Sequence, residues 1–310
     1  MKLNYIVTEN DVNKTIKDIL FSKFHISHRL LTKLKKENSI FLNNSPIYVD
    51  KVLSIDDKIT ISFDYKEDNS NIFSKNIPLD IIYEDDWLLI VNKPSGIPVH
   101  PSINHYEDSL SSGIKYYFES IGLNKKIRPV NRIDKDTSGL VVFAKNEYIQ
   151  ESLIKQMSNG NFYKEYIAIV EGSFKNKKGV INKPIARKDK SIIERCISDS
   201  GDTAITHYEV LDQFDVNNDL NIKDDKISIL KCILETGRTH QIRVHLSSIL
   251  HPILGDNLYG KNINLINRQA LHSYKISFIH PITNNKIDFK STIPSDINKI
   301  INLSIKKNNL

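Results

Sequence analysis

The spacing of apolar positions divides the chain into recognisable elements. Ile16, Ile19 and Leu20 mark one helical face, and Leu30, Leu31 and Leu34 mark another, with Ser27 placed to cap the second helix. Ile40-Phe41-Leu42, the turn pair Asn43-Asn44 and Ile47-Tyr48-Val49 read as a small hairpin. Ile59, Ile61 and Phe63 then alternate as a half-buried strand. Residues 64–78 are polar with little periodicity and read as a linker. Beyond them, Ile81-Ile82-Tyr83 and Leu88-Leu89-Ile90-Val91 predict two strands around the turn Glu84-Asp85-Asp86. Helices are predicted over 109–119 and 146–157. The wholly apolar run Leu140-Val141-Val142-Phe143-Ala144 between them is short enough for a buried strand. Period two over 161–172 puts Tyr166 and Ala168 on one face of a strand and Tyr163 on the other. Residues 204–211 and 227–234 read as paired strands joined by an exposed, Asn- and Asp-rich hairpin loop, 215–226. Thr239 is placed to cap a helix running to about residue 250, with Ile242, Leu246 and Ile249 as its buried stripe.

At 310 residues the chain can bury a sizeable core and is expected to hold more than one domain. Its 40% hydrophobic and 26% charged content is that of a soluble globular protein. No apolar run is long enough to cross a bilayer and no export signal opens the chain. Cys196 and Cys232 stand far apart without metal-ligand spacing, as in a reduced, cytoplasmic protein. The net charge of +6 mildly favours a polyanionic partner. That charge is concentrated near the start. Residues 13–36 carry seven Lys or Arg, among them Arg29, Lys33, Lys35 and Lys36, against one acid, Asp18. With the leucines turned inward, the basic faces are expected to point outward.

Candidate chemistry gathers in four stretches. Arg132-Ile133-Asp134-Lys135-Asp136 is a charged knot before the turn Thr137-Ser138-Gly139 and the apolar run, so its side chains sit at the mouth of a core strand. The same residues also suit an ordinary solvated loop. Gly237-Arg238-Thr239-His240-Gln241-Ile242-Arg243 places Arg243 in a first helical turn, where the helix dipole disfavours a cation; an anionic partner would explain it. His240 and His245 are five apart, not at the i, i+4 spacing of a zinc helix, so no metal is expected. Lys93-Pro94-Ser95-Gly96-Ile97-Pro98-Val99-His100 forms a stiff loop after a strand, and spacing alone assigns neither Lys93 nor His100 a role. The basic run Arg187-Lys188-Asp189-Lys190 reads either as a path for phosphates or as a plain surface turn.

Together these stretches resemble the RluA-type RNA pseudouridine synthases. The motif H-R-L-D-x-x-T-S-G appears here as Asn131-Arg132-Ile133-Asp134-Lys135-Asp136-Thr137-Ser138-Gly139, with Asn131 in place of His and Ile133 in place of Leu. Lys164, Tyr166, Ala168, Val170 and Gly172 match K-x-Y-x-A-x-V-x-G. Residues 236–245 match T-G-R-T-H-Q-x-R-x-H, and residues 251–260 match H-P-x-x-G-D-x-x-Y-G, the last read as turn architecture. The resemblance spans roughly residues 80–290.

The resemblance implies an α+β protein. A small S-four-like RNA-binding domain (1–63) and a linker (64–78) would precede a catalytic domain (79–310) built on a mixed, mainly antiparallel β-sheet flanked by helices and loops. It implies an isomerase that needs no cofactor and no metal, acting as a cytoplasmic monomer on ribosomal or transfer RNA, with no membrane. Asp134 would be the catalytic carboxylate. Arg243 would pair with it and keep it ionised. Tyr166 would stack on the base and could also handle the C5 proton. Arg132 would help extrude the nucleotide, and Arg29, Lys33, Lys35 and Lys36 would hold phosphates. Two other classes fit part of the pattern. A non-catalytic RNA-binding or ribosome-assembly factor would not need Asp134, Tyr166 and Arg243 together. A glycoside hydrolase would need a second carboxylate, for which Asp136 is the candidate.

Overall fold

The computed structural model describes residues 1–102, 106–216 and 222–308. Its N-terminal unit runs β1 (Lys2–Ile6), α1 (Ile16–Ser22), α2 (His28–Lys36), β2 (Ile40–Leu42), β3 (Ser45–Pro46) and β4 (Lys58–Ser62). The strands form an antiparallel sheet in the order β1-β4-β2-β3. The predicted faces meet in one core, where Ile16, Ile19, Leu20, Leu30, Leu34, Ile59, Ile61 and Phe63 are buried together. Local chemistry starts each helix. Thr15 and Asp18 form a reciprocal capping box on α1, and the Ser27 side chain accepts from Leu30 N at 3.1 Å to cap α2. Asn43 and Asn44 take left-handed φ values of 49° and 68°, as a two-residue hairpin turn requires. The hairpin's second strand ends sooner than the sequence predicts, because the carbonyls of Val49 and Lys51 instead accept from Lys17 N and Ile16 N at the open end of α1.

The expected linker holds no helix or strand, but it is not a solvated tether. Ile72 is buried with Leu110, Ile114 and Phe118 of the second unit, and Glu67 forks onto Arg128 through bonds of 2.7 and 2.6 Å. Phe63 also packs against Tyr148 and Trp87, at ring-centroid distances of 6.0 and 6.3 Å.

The second unit runs β5 (Ile81–Glu84), β6 (Leu88–Lys93), α3 (Leu110–Ser120), β7 (Arg128–Pro129), β8 (Ser138–Ala144), α4 (Glu147–Ser158) and β9 (Tyr163–Glu171). It continues with β10 (Lys178–Asn182), β11 (Ile185–Arg187), β12 (Arg195–Ile197), β13 (Ile205–Asp215), β14 (Lys226–Leu234) and α5 (Gln241–Ser248). β15 (Leu271–Ile279), β16 (Lys286–Lys290) and α6 (Ser295–Asn308) complete it. Among the described residues ten strands form one sheet, with the spine β10-β13-β14-β9-β15-β8-β6-β5, β16 beside β15 and β7 beside β8. Strands β11 and β12 stand apart as a separate hairpin. Part of the expected 215–226 loop, residues 217–221, lies outside the described residues.

The continuous apolar runs reflect burial on both faces. Leu89, Val91, Val141 and Phe143 pack against Leu110, Ile114 and Phe118 of α3. Their neighbours Leu88, Ile90, Leu140 and Val142 pack against Ile149 and Leu153 of α4. The other half of the sheet carries α5 and α6 on a separate core that includes Ala168, Leu230, Leu246 and Ile297. The halves join along β8 and β15, a parallel pairing in an otherwise antiparallel sheet. This seam is tight. Gly139 adopts φ +112°, and a Cβ there would lie 2.2 Å from the Ser273 carbonyl oxygen, so the site requires glycine. His272 spans the same place, with Nδ1 2.9 Å from Ser138 Oγ and Nε2 2.8 Å from Ser291 Oγ. Burial holds its pKa down to about 4, so it is a neutral strut at pH 7. The charged knot enters β8 directly above this seam.

Candidate active site

Two loops converge over the joined halves. One carries Asp134 into β8; the other leads into α5. The first is held by backbone-directed bonds. Asn131 is buried; its Nδ2 donates to the Leu140 carbonyl at 3.1 Å, and its Oδ1 accepts from Val142 N at 2.8 Å. Asn131 thus extends the strand ladder, which gives the residue in the usual histidine position a structural task. Lys93, fully buried, donates from Nζ to the carbonyls of Pro94, Ile97 and Lys135 at 2.7, 2.8 and 2.8 Å. It ties the Lys93–His100 loop to the residue after Asp134, a role that spacing could not assign. Ser95 Oγ and Arg268 Nη1 donate to the next carbonyl, that of Asp136, at 3.0 and 3.1 Å. The backbone immediately after Asp134 is therefore fixed from several sides.

The second loop differs from expectation at the helix start. The N-cap of α5 is His240, with φ 58°, not Thr239. The Gln241 side chain organises the turn instead: its Oε1 accepts from Thr236 Oγ1 and Arg238 N at 2.8 and 3.0 Å, while its Nε2 donates to the Ile205 carbonyl at 2.9 Å. His245 is spent on structure as well, its nitrogens lying 2.9 Å from Thr206 Oγ1 and from the Lys183 carbonyl.

Arg243 then projects from the first turn of α5 between two carboxylates. Its Nε and Nη2 donate to the two oxygens of Asp256 at 2.7 and 2.8 Å, and its Nη1 donates to Asp134 Oδ2 at 3.0 Å. Asp256 is fully buried and also accepts from Leu258 N and Tyr259 N at 3.0 and 3.2 Å. Burial opposes the Arg243 charge, but Asp256 and Asp134 outweigh it and raise its pKa further. The anionic partner expected for this arginine is thus a pair, of which sequence reasoning named one. Asp256 sits in the Gly-Asp turn that reads as architecture, and its burial is not visible in the sequence. Gly255 before it has φ +70°, with the Arg268 carbonyl 2.3 Å from where a Cβ would be.

His240 and Tyr259 flank the same carboxylate. His240 Nε2 lies 3.9 Å from Asp134 Oδ2, and its Nδ1 lies 2.9 Å from the Tyr259 hydroxyl, which accepts from Arg195 N at 2.7 Å. Burial lowers the His240 pKa against the pull of Asp134, so the ring is neutral at pH 7. The Arg243 guanidinium also lies over the Tyr259 ring, 5.1 Å from its centroid.

These groups open on a cleft of about 600 Å³ whose lining includes Arg132, Asp134, Lys164, Tyr166, His240 and Arg243. Tyr166 is almost wholly buried; burial first, and the Asp134 charge with it, push its pKa up to about 12. Arg132 is exposed at the cleft wall. The structure therefore brings Asp134, Tyr166, Arg243 and Arg132 together. Arg29, Lys33, Lys35 and Lys36 lie outside the cleft, on α2. Lys35 and Lys36 point to solvent, as expected. Lys33 does not: it bonds to Glu67 and Glu147 and lies 4.7 Å over the Tyr65 ring, between the two units. Arg29 reaches Glu151 at 3.4 Å. Arg29 and Lys33 line a groove of about 450 Å³ that shares His100 and Pro129 with the cleft.

The RNA pseudouridylate synthase family model matches residues 87–248. The chain belongs to the RluA-type RNA pseudouridine synthases. It is 35% identical over 298 residues to the uncharacterized RNA pseudouridine synthase YhcT of Bacillus subtilis (strain 168), covering 96% of each chain. It is 36% identical over 249 residues to the ribosomal large subunit pseudouridine synthase D of Zymomonas mobilis, covering 76% of this chain and 75% of that protein. The fold matches human RNA pseudouridylate synthase domain containing 1 with a TM-score of 0.56 at 22% identity, over 75% of this chain and 96% of that one. This RluA-type synthase is an isomerase with RNA as its substrate class. Among its described residues no helix is long and apolar enough to cross a membrane.

Proposed function

We propose that this synthase isomerises specific uridines of structured RNA, ribosomal RNA foremost, with Asp134 as the carboxylate that acts at the sugar. One observation carries the reading. Arg243 is locked on buried Asp256 and offers its remaining edge to Asp134 at 3.0 Å, in a cleft that also holds Tyr166. A reacting carboxylate needs a fixed direction and a balancing charge, and a preorganised guanidinium supplies both. The ribosomal preference is suggested by the name of the Zymomonas relative.

In the reaction the C1′–N1 bond breaks, the uracil turns and a C1′–C5 bond forms. C5 loses a proton and N1 gains one, so the isomerisation balances without net redox or hydrolysis. Asp134 acts by attacking C1′ or by taking the C2′ proton. Tyr166, a neutral phenol at pH 7, would offer its ring to the base. Arg132 would enter the space vacated by the flipped nucleotide, offsetting part of the cost of unstacking it. The N-terminal unit, with Lys35 and Lys36 outward, would add phosphate contacts.

Asp134→Asn keeps size and hydrogen bonding but removes the charge. It should fold, bind RNA and lose pseudouridine formation by at least about 10³-fold. Mapping pseudouridines in total RNA from cells with the gene, without it, and with the Asn variant checks this and names the uridine. Restoration of the missing pseudouridine by the variant at near-normal rate would remove Asp134 from the chemistry.

A further inference from the structure

Among the described residues four lysines are buried: Lys93, Lys125, Lys145 and Lys164. Three are fully engaged. Lys93 donates to three carbonyls, Lys125 to the carbonyls of Phe63 and Tyr65, and Lys145 to the Glu84 carboxylate at 2.7 Å and the Asp85 carbonyl. Lys164 is the exception. It is 7% exposed, and among the described residues no carboxylate, carbonyl, hydroxyl or ring takes its ammonium. Its pKa is lowered by burial alone, whereas the other depressed lysines also feel nearby charges. The Lys164 stem is buried while its ammonium is not among the sealed polar atoms, so the charge keeps contact only with the cleft. A cation held at a cleft wall with no protein partner is placed to meet an arriving anion.

The position of Lys164 says where that partner comes from. Lys164 precedes Tyr166 by two residues on β9, so both side chains leave the same face, roughly 7 Å apart. Both line the Asp134 cleft. Lys164 Nζ lies 3.6 Å from the point a Cβ would occupy at Gly237, and the missing side chain there leaves its approach open. The nearby anion is already taken, since Asp134 is bound by Arg243. An ammonium is a compact point charge that is best met by a full negative charge. The uracil carbonyls are neutral until the glycosidic bond breaks, whereas a phosphodiester is charged on arrival.

Resting on the reading of this cleft as the uridine site, we infer that Lys164 receives a backbone phosphate next to the flipped nucleotide. It is a binding residue that seats the strand so that the uridine lies over Tyr166 beside Asp134.

The test uses the intact chain and 5′-fluorescein-labelled dodecauridylate, titrated by fluorescence anisotropy at several KCl concentrations. Lys164→Gln should weaken binding roughly ten- to a hundredfold, as loss of a charge-assisted bond does. It should also reduce the magnitude of the salt slope by about 0.7, the value of one phosphate on a single strand. Lys164→Arg should keep most of both. On total RNA from cells lacking the gene, Lys164→Gln should raise KM and leave kcat near wild type. Its Tm should stay close to that of the wild type, since no protein group bonds the ammonium that is removed. Unchanged affinity and slope overturn the inference. A fall in kcat with KM and slope intact would instead place Lys164 on the base. A lowered Tm with intact slope would make it structural. If the wild type binds no dodecauridylate and forms no pseudouridine, the reading of the cleft itself falls.

Discussion

The molecule holds two assemblies of the same parts with different outcomes. In each, a buried arginine forks onto one carboxylate and touches a second. Between the units, Arg128 forks onto Glu67 at 2.7 and 2.6 Å and meets Glu147 at 2.8 Å. In the cleft, Arg243 forks onto Asp256 at 2.7 and 2.8 Å and meets Asp134 at 3.0 Å. The difference lies in how far the second carboxylate is already bonded. Glu147 borders the groove of about 450 Å³, but its oxygens are taken by Lys33, by Arg128 and by the Tyr65 hydroxyl at 3.0 Å, and its side chain is 12% exposed. Asp134 has Arg243 on one side and the open cleft on the other, with 23% of its side chain exposed. A closed assembly uses every charge to fix one unit on another. An open one leaves a directed carboxylate facing a space that a substrate can enter.

The sharpest way to break the comparison is at the two anchors. Asp256→Asn keeps an acceptor but presents an amide to one of the Arg243 donors, so the fork is lost and Asp134 loses its fixed neighbour. Stability should fall by about 3–5 kcal/mol, the usual cost of breaking a buried pair. kcat should also fall by about 10²-fold, as a small misplacement at a reacting centre does. Thermal melts and single-turnover pseudouridine formation read the two effects separately. Normal kcat in the folded variant would show that Asp134 needs no anchored arginine.

Arg128→Met makes the matching change in the closed assembly. It leaves Glu67 and Glu147 with Lys33 as the one cation bonded to them, so about 3–5 kcal/mol of stability should again be lost. Here kcat per folded molecule should stay near wild type. A variant with an unchanged Tm and a lowered kcat would move Arg128 from the structural assembly into the chemistry.

The two assemblies also mark where the sequence was readable. Strands such as β6, β8, β9 and β14 were legible from their apolar or alternating runs, 140–144 being continuous because β8 is buried on both faces. In contrast, β1, β10 to β12, β15 and β16 were not read from the sequence. Asp134 and Arg243 were legible because each stands in a distinctive motif, and the fold brings them within one hydrogen bond. Asp256 was not, because a Gly-Asp pair before Tyr-Gly reads as turn chemistry until its burial is known. The register of α5 was missed by one residue, because Gln241 takes over the turn that Thr239 was expected to cap. The fate of Lys33 was hidden for another reason. Helical spacing separates apolar from polar faces, but it does not say that a second unit will cover part of the polar face.

That last point yields the smallest effect and a way to separate the lysines of α2. Lys33 is enclosed by Glu67, Glu147 and Tyr65, while Lys35 and Lys36 face solvent near the C-terminal end of the same helix. Lys33→Ala removes a cation that is one-third exposed, so the loss should be about 1 kcal/mol rather than the full cost of a buried pair. It should leave the salt dependence of RNA binding unchanged, because a lysine already held by two carboxylates neutralises no phosphate. Lys35→Ala with Lys36→Ala should do the reverse. Tm should stay within about 0.5 kcal/mol of wild type in free-energy terms. The salt slope for a structured ribosomal RNA fragment should lose roughly one unit for each phosphate no longer contacted. Filter binding at several salt concentrations, beside thermal melts of the same preparations, distinguishes the two variants. Equal slopes for the double variant and the wild type would remove this face of α2 from the RNA interface. A reduced slope for Lys33→Ala would mean that the closed assembly opens when RNA arrives.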